Sequence, residues 1–586
     1  MDRIPRPEYP RPQFVRKEWL NLNGVWTCEF DPGRSGVARG LCRSAGFTQT
    51  ILVPFCPESK LSGVEHKDFI EQMFYHRKIA VPAEWTGKRI LLHFDAIDYE
   101  SAVYIDGKQA GTHFGGGTPF TVDITDAAAP GTEHDLVVMV RDFLRSGVQP
   151  GGKQCEDYYS AGVRYTRTTG IWQTVWMEPV DPFALKTCRI TPDLDNASFS
   201  FSPEFFNDVS GLRWHIRVLA GDEVVGEGVF GAATRTSQTI RLKKVRAWSP
   251  QDPFLYDIEF TVMKDGKTID RVRSYSGLRK VHIEGDRFFL NDTPLFFRFV
   301  LDQGFYPDGI WTAPSDEDLR RDIELSMAAG FNGARLHQKV FEPRFHYWAD
   351  KLGYLTWGES ASGDIFFCDH CEFEDSVSLW KSFTLFLNEW REAVERDVNH
   401  PSIIAWTPAN ETGESRNWEL ARRLFTIIYD TTKSLDPTRP VNDCSGYRHV
   451  KTDLWTVHVY RKNAQELKEA LETKPVFMKS PPFEKVAYHG QPYINDEFGG
   501  FLYLPPDKTS RFAQNTWGYY ELEIKTPEEY IAKIAEQAEF MRSMPGLSGF
   551  CFTQLTDIEQ EQNGVLTFDR TPKVPLKALH KAFAGE

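Results

Sequence analysis

No stretch of this 586-residue chain approaches the roughly 20 consecutive apolar residues that cross a bilayer, so no membrane-spanning helix is expected. The opening residues, Met1-Asp2-Arg3-Ile4-Pro5-Arg6-Pro7, lack the apolar core of a secretion signal. Cysteine is sparse, with nine scattered residues and an odd count, which points to reduced thiols and a cytoplasmic setting instead of a disulfide framework. Positive charge is in deficit. A formal net charge of −14 argues against nucleic acid or an anionic membrane surface as the main partner. Metal-ligand spacing occurs once, in Cys368-Asp369-His370-Cys371. No second Cys/His pair lies nearby to complete a tetrahedral site, so a surface loop is expected there, and neither metal nor other cofactor is expected anywhere. No internal repeat or low-complexity segment is visible.

The length is too great for one hydrophobic core, so two to four domains are expected. Aromatic residues make up 14%, with 16 Trp and 43 Phe. Flat rings suit the apolar faces of sugars, and β-rich cores use them equally well. The first third alternates apolar and polar residues, as in Gly24-Val25-Trp26-Thr27-Cys28-Glu29-Phe30 and Arg89-Ile90-Leu91-Leu92-His93-Phe94, and Asp106-Gly107 signals a tight hairpin. Residues 1–181 therefore read as an antiparallel sandwich of jelly-roll type. A seam at Glu178-Pro179-Val180-Asp181-Pro182 leads into residues 182–281, about a hundred residues of short strands and turns such as Lys264-Asp265-Gly266-Lys267, read as an immunoglobulin-like β-sandwich.

From residue 282 to 586 strands alternate with helices. Ser315 is a plausible N-cap over Asp316-Glu317-Asp318, and Gly330 closes that helix. Eight candidate strands follow in order: 295–301, 333–337, 354–359, 403–410, 441–445, 454–460, 493–497 and 548–553. Eight parallel strands with intervening helices close a (β/α)8 TIM barrel, whose C-terminal strand ends carry the chemistry. The fourth of these ends at Asn410-Glu411 and the seventh at Glu497. Two carboxylates on one face of a barrel are the minimum equipment for cleaving a glycosidic bond: one supplies a proton, the other acts from the opposite face of the sugar. Their environments must push their pKa values apart. Spacing alone is a weak signal among 82 Asp and Glu.

The run His400-Pro401-Ser402-Ile403-Ile404-Ala405-Trp406-Thr407-Pro408-Ala409-Asn410-Glu411 resembles the acid/base signature of glycoside hydrolase family 2, the family of β-galactosidases, β-glucuronidases and β-mannosidases. Tyr75-His76-Arg77, Phe94-Asp95-Ala96-Ile97-Asp98-Tyr99 and Gly170-Ile171-Trp172-Gln173 are similar to its N-terminal sandwich. Gly330-Phe331-Asn332-Gly333-Ala334-Arg335, Trp348-Ala349-Asp350-Lys351-Leu352-Gly353 and Gln491-Pro492-Tyr493-Ile494-Asn495-Asp496-Glu497 are similar to its barrel, so the likeness covers the chain in the family's domain order.

The resemblance implies a retaining double displacement with Glu497 as nucleophile, Glu411 as acid/base and Asn410 on the sugar 2-hydroxyl. It implies that Arg335 holds the nucleophile ionised and that Tyr460 hydrogen-bonds it. His337 and His458 stand at strand ends where they can bind sugar hydroxyls or be satisfied core histidines; the Arg335-Leu336-His337 spacing is one residue shorter than in well-known members. Asp302, just past the first strand, is placed to accept from a sugar hydroxyl, and Trp517 to stack on sugar or aglycone. Gln554 and Asp557 are expected to line the pocket from the last loop. The Asn-x-Lys motif of the β-glucuronidases is matched by Glu561-Gln562-Asn563, without the lysine that would pair with a uronic acid. The chain also ends soon after the eighth helix, without the extra C-terminal domains of large β-galactosidases. The expectation is an exo-acting β-glycosidase for a neutral carbohydrate substrate, β-galactoside first. A β-hexuronidase, β-mannosidase, arabinosidase or inactive sugar-binding protein are the alternatives. Family members are commonly dimers or tetramers, so a homo-oligomer is possible.

Overall fold

The structure, a computed structural model, describes residues 4–363, 376–412, 418–446, 448–472, 486–506, 516–520 and 524–585. The Cys368–Cys371 pattern lies outside these residues.

Alternation in the first third becomes two antiparallel sheets. One has six strands, in the spatial order Gln49–Val53, Gly24–Phe30, Gln72–Ala80, Glu133–Arg141, Glu100–Ile105 and Lys108–Phe114. The other has four: Leu20–Asn21, Val175–Val180, Arg89–Phe94 and Phe120–Asp123. Inward residues of both, among them Trp26, Tyr75, Leu92, Val138 and Met177, form one core. Asp106 and Gly107 take φ of 49° and 77°, the two left-handed positions a two-residue hairpin needs to match the twist of its strands.

The second domain stacks a three-stranded sheet (Leu185–Asp193, Ser198–Phe205, Gln238–Arg241) on a four-stranded one (Glu223–Gly231, Arg213–Ala220, Tyr256–Lys264, Lys267–Ser276). Trp214 lies parallel to Phe260 at 5.9 Å within its core.

The third domain is a barrel. Seven parallel strands lie in the order Ile403–Thr407, Leu355–Glu359, Gly333–Leu336, Phe297–Asp302, Leu547–Thr553, Tyr493–Gly499 and Trp455–His458. The first helix behaves as its sequence dictates: the Ser315 side chain accepts from Asp318 N over an acidic first turn, and Gly330 follows its end at φ 102°. The sequence places a regular fifth strand at 441–445, and here the structure differs. That segment meets the fourth strand only through single bridges, Trp406–Val441 and Asn410–Ser445. The reason is Asp443. Its carboxylate accepts from the backbone N–H of Cys444, Val450 and Lys451 and contacts His449 Nδ1 at 2.8 Å, so it folds the chain into a local turn. The segment still spans the gap between the fourth and sixth strands, as Asn442 N donates to Trp406 O and Gly446 N to Thr456 Oγ1. The fourth strand also stops earlier than its apolar run, at Thr407, because Pro408 has no N–H for the ladder.

Candidate active site

Each barrel strand is buried on both faces, so only residues at the strand ends can present polar groups to a pocket. Arg335, at the second strand, is the hub. It is fully buried, and its guanidinium spends its donors on four elements. Nε donates to Glu359 Oε2 at 2.7 Å, Nη1 to Glu497 Oε1 at 2.9 Å, and Nη2 to Asn410 Oδ1 at 2.6 Å. Nη2 also lies 2.9 Å from His337 Nδ1. The same Nδ1 lies 3.1 Å from Glu359 Oε1, so His337 is packed between the guanidinium and its carboxylate partner. Burial and the Arg335 charge keep His337 far below the ordinary imidazole pKa, so it is neutral. Asn410, with its oxygen taken by Arg335, keeps its amide N–H2 to offer a substrate.

Glu497 ends its strand's inward turn with both oxygens used: Oε1 accepts from Arg335 and Oε2 from the Tyr460 hydroxyl at 2.6 Å. Burial alone would raise its pKa, but the charges of His458 and Arg335 outweigh burial and hold it below the usual carboxylate range. Tyr460 also contacts Thr553 Oγ1 at 2.9 Å and stacks face to face on Tyr519 at 3.9 Å.

Glu411 sits at φ 47°, a left-handed conformation that costs a non-glycine residue energy and turns its carboxylate out of the strand line. Its side chain remains 42% exposed, open to the recess it lines. Oε1 lies 2.7 Å from His458 Nδ1. On the other side of that ring, Nε2 is 3.0 Å from Ser445 Oγ, whose own proton goes to Asp496 Oδ2 at 2.6 Å. Both ring nitrogens thus face acceptors, which demands the doubly protonated imidazolium. Burial opposes that charge, yet Glu497, Glu411 and Asp496 raise the His458 pKa to about 9. Burial would likewise raise Glu411, but the His458 charge and hydrogen bond, with a smaller contribution from Lys153, hold it well below the normal range. Glu411, His458 and Glu497 offer ligand atoms all within 4.8 Å of one another. The same three groups could chelate a cation, which would occupy both glutamates.

Among the sequence-predicted residues, the structure gathers Glu411, Glu497, Asn410, Arg335, Tyr460, His337 and His458 into this one network. Trp517 stands at its rim, its ring tilted against Tyr519 at 5.2 Å and its indole N–H donating to Gly162 O. Gln554 is buried, bridging Gln303 Nε2 at 2.7 Å and Asn563 Oδ1 at 2.9 Å. Two expected pocket residues are not brought to the pair. Asp302 accepts from Gly304 N in a tight local turn, and its charged neighbours are Asp322, Arg570 and Lys339. Burial and Asp322 raise its pKa to about 6. Asp557 is drawn away by Lys573 Nζ at 2.7 Å and Gly564 N at 2.9 Å, and serves to fix the last loop.

Sequence reasoning missed Glu359 and Tyr165, and met Glu561 only as a motif position. Glu359 ends the third strand in Trp357-Gly358-Glu359, the same apolar-run-then-carboxylate pattern that marked the other two glutamates. Tyr165 comes from the first domain, and its hydroxyl donates to Glu561 Oε2 and accepts from Gln303 Nε2 at 3.0 Å. Glu561 is buried, takes a further hydrogen bond from Asn563 Nδ2 at 3.0 Å, and has a pKa raised by burial.

Three family models of glycosyl hydrolases family 2 match the chain in succession: the sugar binding domain over residues 60–177, the family 2 domain over 184–279 and the TIM barrel domain over 281–585. A β-glucuronidase of Paenibacillus borealis is 24% identical over 74% of this chain and 74% of its own length. A β-galactosidase of Thermoanaerobacter pseudethanolicus is 23% identical over 66% of this chain and 50% of its own. The fold is that of a β-glucuronidase from Ruminococcus gnavus, with a TM-score of 0.80 at 20% identity over 99% of this chain and 100% of that one.

Proposed function

The chain belongs to glycosyl hydrolase family 2, and on that footing we propose that it is a retaining exo-β-glycosidase working by double displacement on Glu497 and Glu411. One observation carries the reading: oxygens of the two carboxylates approach within 4.8 Å. So close an approach of nearest oxygens suits the roughly 5–5.5 Å separation of a retaining pair. Glu497, kept ionised by Arg335 and oriented by Tyr460, attacks the anomeric carbon and forms a covalent glycosyl-enzyme.

The leaving oxygen needs a proton, and Glu411 is ionised at rest. The proton is held by its partner: imidazolium on carboxylate is one tautomer of a pair whose other form is neutral imidazole on carboxylic acid. As Glu497 loses its negative charge to the new bond, His458 loses a charge that favoured its protonated form, and the proton passes from Nδ1 through Glu411 to the leaving oxygen. Glu411, ionised again, then takes a proton from the water that releases the sugar.

The sugar we infer is neutral, with β-galactoside first. β-Glucuronidase is the commoner name among the relatives and that of the matched structure, with β-galactosidase beside it, so the neutral-sugar reading rests on residues alone. At the positions matching the uronate-binding motif stand Glu561 and Asn563, with no lysine. A uronate carboxylate there would meet the buried Glu561 carboxyl where the motif has its lysine. A panel of aryl β-galactoside, β-glucuronide, β-galacturonide, β-mannoside, β-glucoside and arabinosides tests this. A highest kcat/KM on a neutral pyranoside supports the assignment, and a highest value on a uronide overturns it.

A further inference from the structure

The loop 149–167 leaves the first domain and is fastened across the barrel mouth. Gly152 N donates to Ala361 O at 3.0 Å, and a Cβ on Gly152 would fall 2.3 Å from Gln338 O, so glycine is required for this approach at φ 57°. Further on, Trp517 Nε1 and Gln560 Nε2 both donate to Gly162 O, Gln560 Nε2 also to Arg164 O, and Thr166 N to Glu559 Oε2. With Tyr165 on Glu561, the loop is a fixed wall of the pocket.

Lys153 follows Gly152 in that wall. Its carbonyl accepts from Tyr165 N at 2.8 Å, and its residue is half-buried. Among the described residues its ammonium pairs with no carboxylate and donates no hydrogen bond. Among the described residues, the neighbouring buried cations are engaged: Arg335 on Glu359 and Glu497, Lys573 on Asp557, Arg570 on Asp322, and Lys339 on the carbonyls of Gly304 and Trp311. Gly152 on Ala361 O and against Gln338 O, with Tyr165 N on the Lys153 carbonyl, sets Lys153 at the barrel mouth beside His337 and Glu359, and its charge there favours the ionised form of Glu411.

We propose that Lys153 is a specificity residue that pairs with an anionic group, a carboxylate or sulfate, carried by the substrate. The proposal rests on the glycosidase reading above and narrows its substrate class. The charge can sit on the aglycone of a neutral glycoside or on the terminal sugar itself.

Kinetics of the wild type and Lys153→Met on matched aryl glycosides separate these. The set is a plain phenyl β-galactoside, the same compound with a carboxylate on the phenyl ring, and the β-galacturonide and β-glucuronide. The expected result is a loss in kcat/KM on one charged series at least ten-fold larger than the loss on the plain galactoside, and carried mostly by KM. A response confined to the charged aglycone supports Lys153 and leaves the neutral-sugar reading standing. A response confined to the uronides supports Lys153 and removes the neutral-sugar reading. An equal effect on all substrates, accompanied by a shifted pH profile, would assign Lys153 to the electrostatics of Glu411 and overturn the proposal, as would no effect on any. Calorimetric titration of both proteins with galactose, galacturonate and phenyl-carboxylate galactoside reads the same pairing without turnover. Equal affinities in wild type and variant for every charged ligand would also overturn it.

Discussion

His458 Nδ1 lies 2.7 Å from Glu411 Oε1, and Nε2 of the same ring lies 3.4 Å from Glu497 Oε1. One imidazolium therefore stands between the two carboxylates of the proposed mechanism. The arrangement explains how both can be ionised within 4.8 Å of each other in a buried site, where two bare like charges would force one to take up a proton. It also moves the proton needed for leaving-group departure from Glu411 onto the Glu411–His458 pair.

The pH dependence follows from that pair. The pair can donate only while it holds a proton, so kcat/KM should stay high as pH rises and fall through about 9, the His458 value. On the acid side, Glu497 must be ionised, and its pKa lies below the ordinary 4.5, so activity should persist to below that pH. His458→Gln removes the reservoir. Its alkaline limb should drop to about 6, the range of a buried catalytic carboxylic acid, with kcat reduced about 10–100-fold. Stability has the same sign: a histidine raised from about 6.5 to about 9 contributes fully below 6.5 and loses that contribution as pH rises through 9. A pH–rate series on both proteins checks the first point, and an alkaline limb unchanged in His458→Gln would sink it.

Roles of the two glutamates separate in azide rescue. Glu497→Ala should lose about 10⁵-fold or more in kcat, and azide should restore turnover as an α-glycosyl azide, because the anion enters from the face the carboxylate vacated. Glu411→Ala should still form the glycosyl-enzyme from substrates with good leaving groups, and azide should release a β-glycosyl azide. Proton NMR of the product anomers decides; swapped anomers would exchange the two assignments.

Glu411 and Glu497 were legible in the sequence because each ends an apolar run, and burial on both strand faces leaves only such ends free for polar work; the family resemblance supplied the domain order and the roles expected of Arg335, Asn410 and Tyr460. Asp302 and Asp557 also end or follow such runs, yet they face other partners. A strand end fixes where a side chain starts, and competition from Gly304 N or Lys573 fixes where it goes. The fifth strand was over-read for a related reason: Val441-Asn442-Asp443-Cys444-Ser445 has the length of a strand, but Asp443 binds nearby N–H groups and takes them out of the ladder. Tyr165 and Lys153 could not be found by reading the barrel, since a loop of the first domain, far earlier in the chain than any barrel strand, carries them to the barrel mouth.

Glu359 tests whether Arg335 acts alone. It accepts from Arg335 through both oxygens, at 2.7 and 3.3 Å, and from Gln338 N at 3.1 Å, with its side chain fully buried. Glu359→Gln keeps the shape but removes the charge that holds the guanidinium in place between Glu497 and Asn410. We expect a folded protein with kcat reduced about 10–100-fold and KM little changed, because positioning of the nucleophile matters most in the transition state. Glu359→Leu leaves part of the guanidinium unpaired and should destabilise by about 3 kcal/mol. Steady-state kinetics and urea unfolding measure the two effects; a Gln variant with wild-type kcat would show that Arg335 needs no second carboxylate.

Lys573 offers a prediction that separates scaffold from chemistry. Its fully buried ammonium holds Asp557 at 2.7 Å and donates to Gln562 O at 2.9 Å, tying the last loop to the segment after it. Burial raises Asp557 to about 6 even with Lys573 opposing it. Without the lysine, burial would raise Asp557 further and its carboxyl would take up a proton at neutral pH, so Lys573→Met should cost about 2 kcal/mol at pH 7.5, where the wild-type carboxyl is ionised. The loss should shrink as pH falls below 6 and the carboxyl takes up a proton, since a neutral Asp557 needs no cation. The loop carries Glu561 and Asn563 to the sugar pocket, so the variant should also raise KM, while Glu411 and Glu497 remain in place and kcat is affected less. Thermal melts at pH 5.0 and 7.5, with kinetics at the permissive pH, check both parts. A stability loss that is the same at the two pH values would mean that Lys573 acts through its contact with Gln562 O and not through its charge.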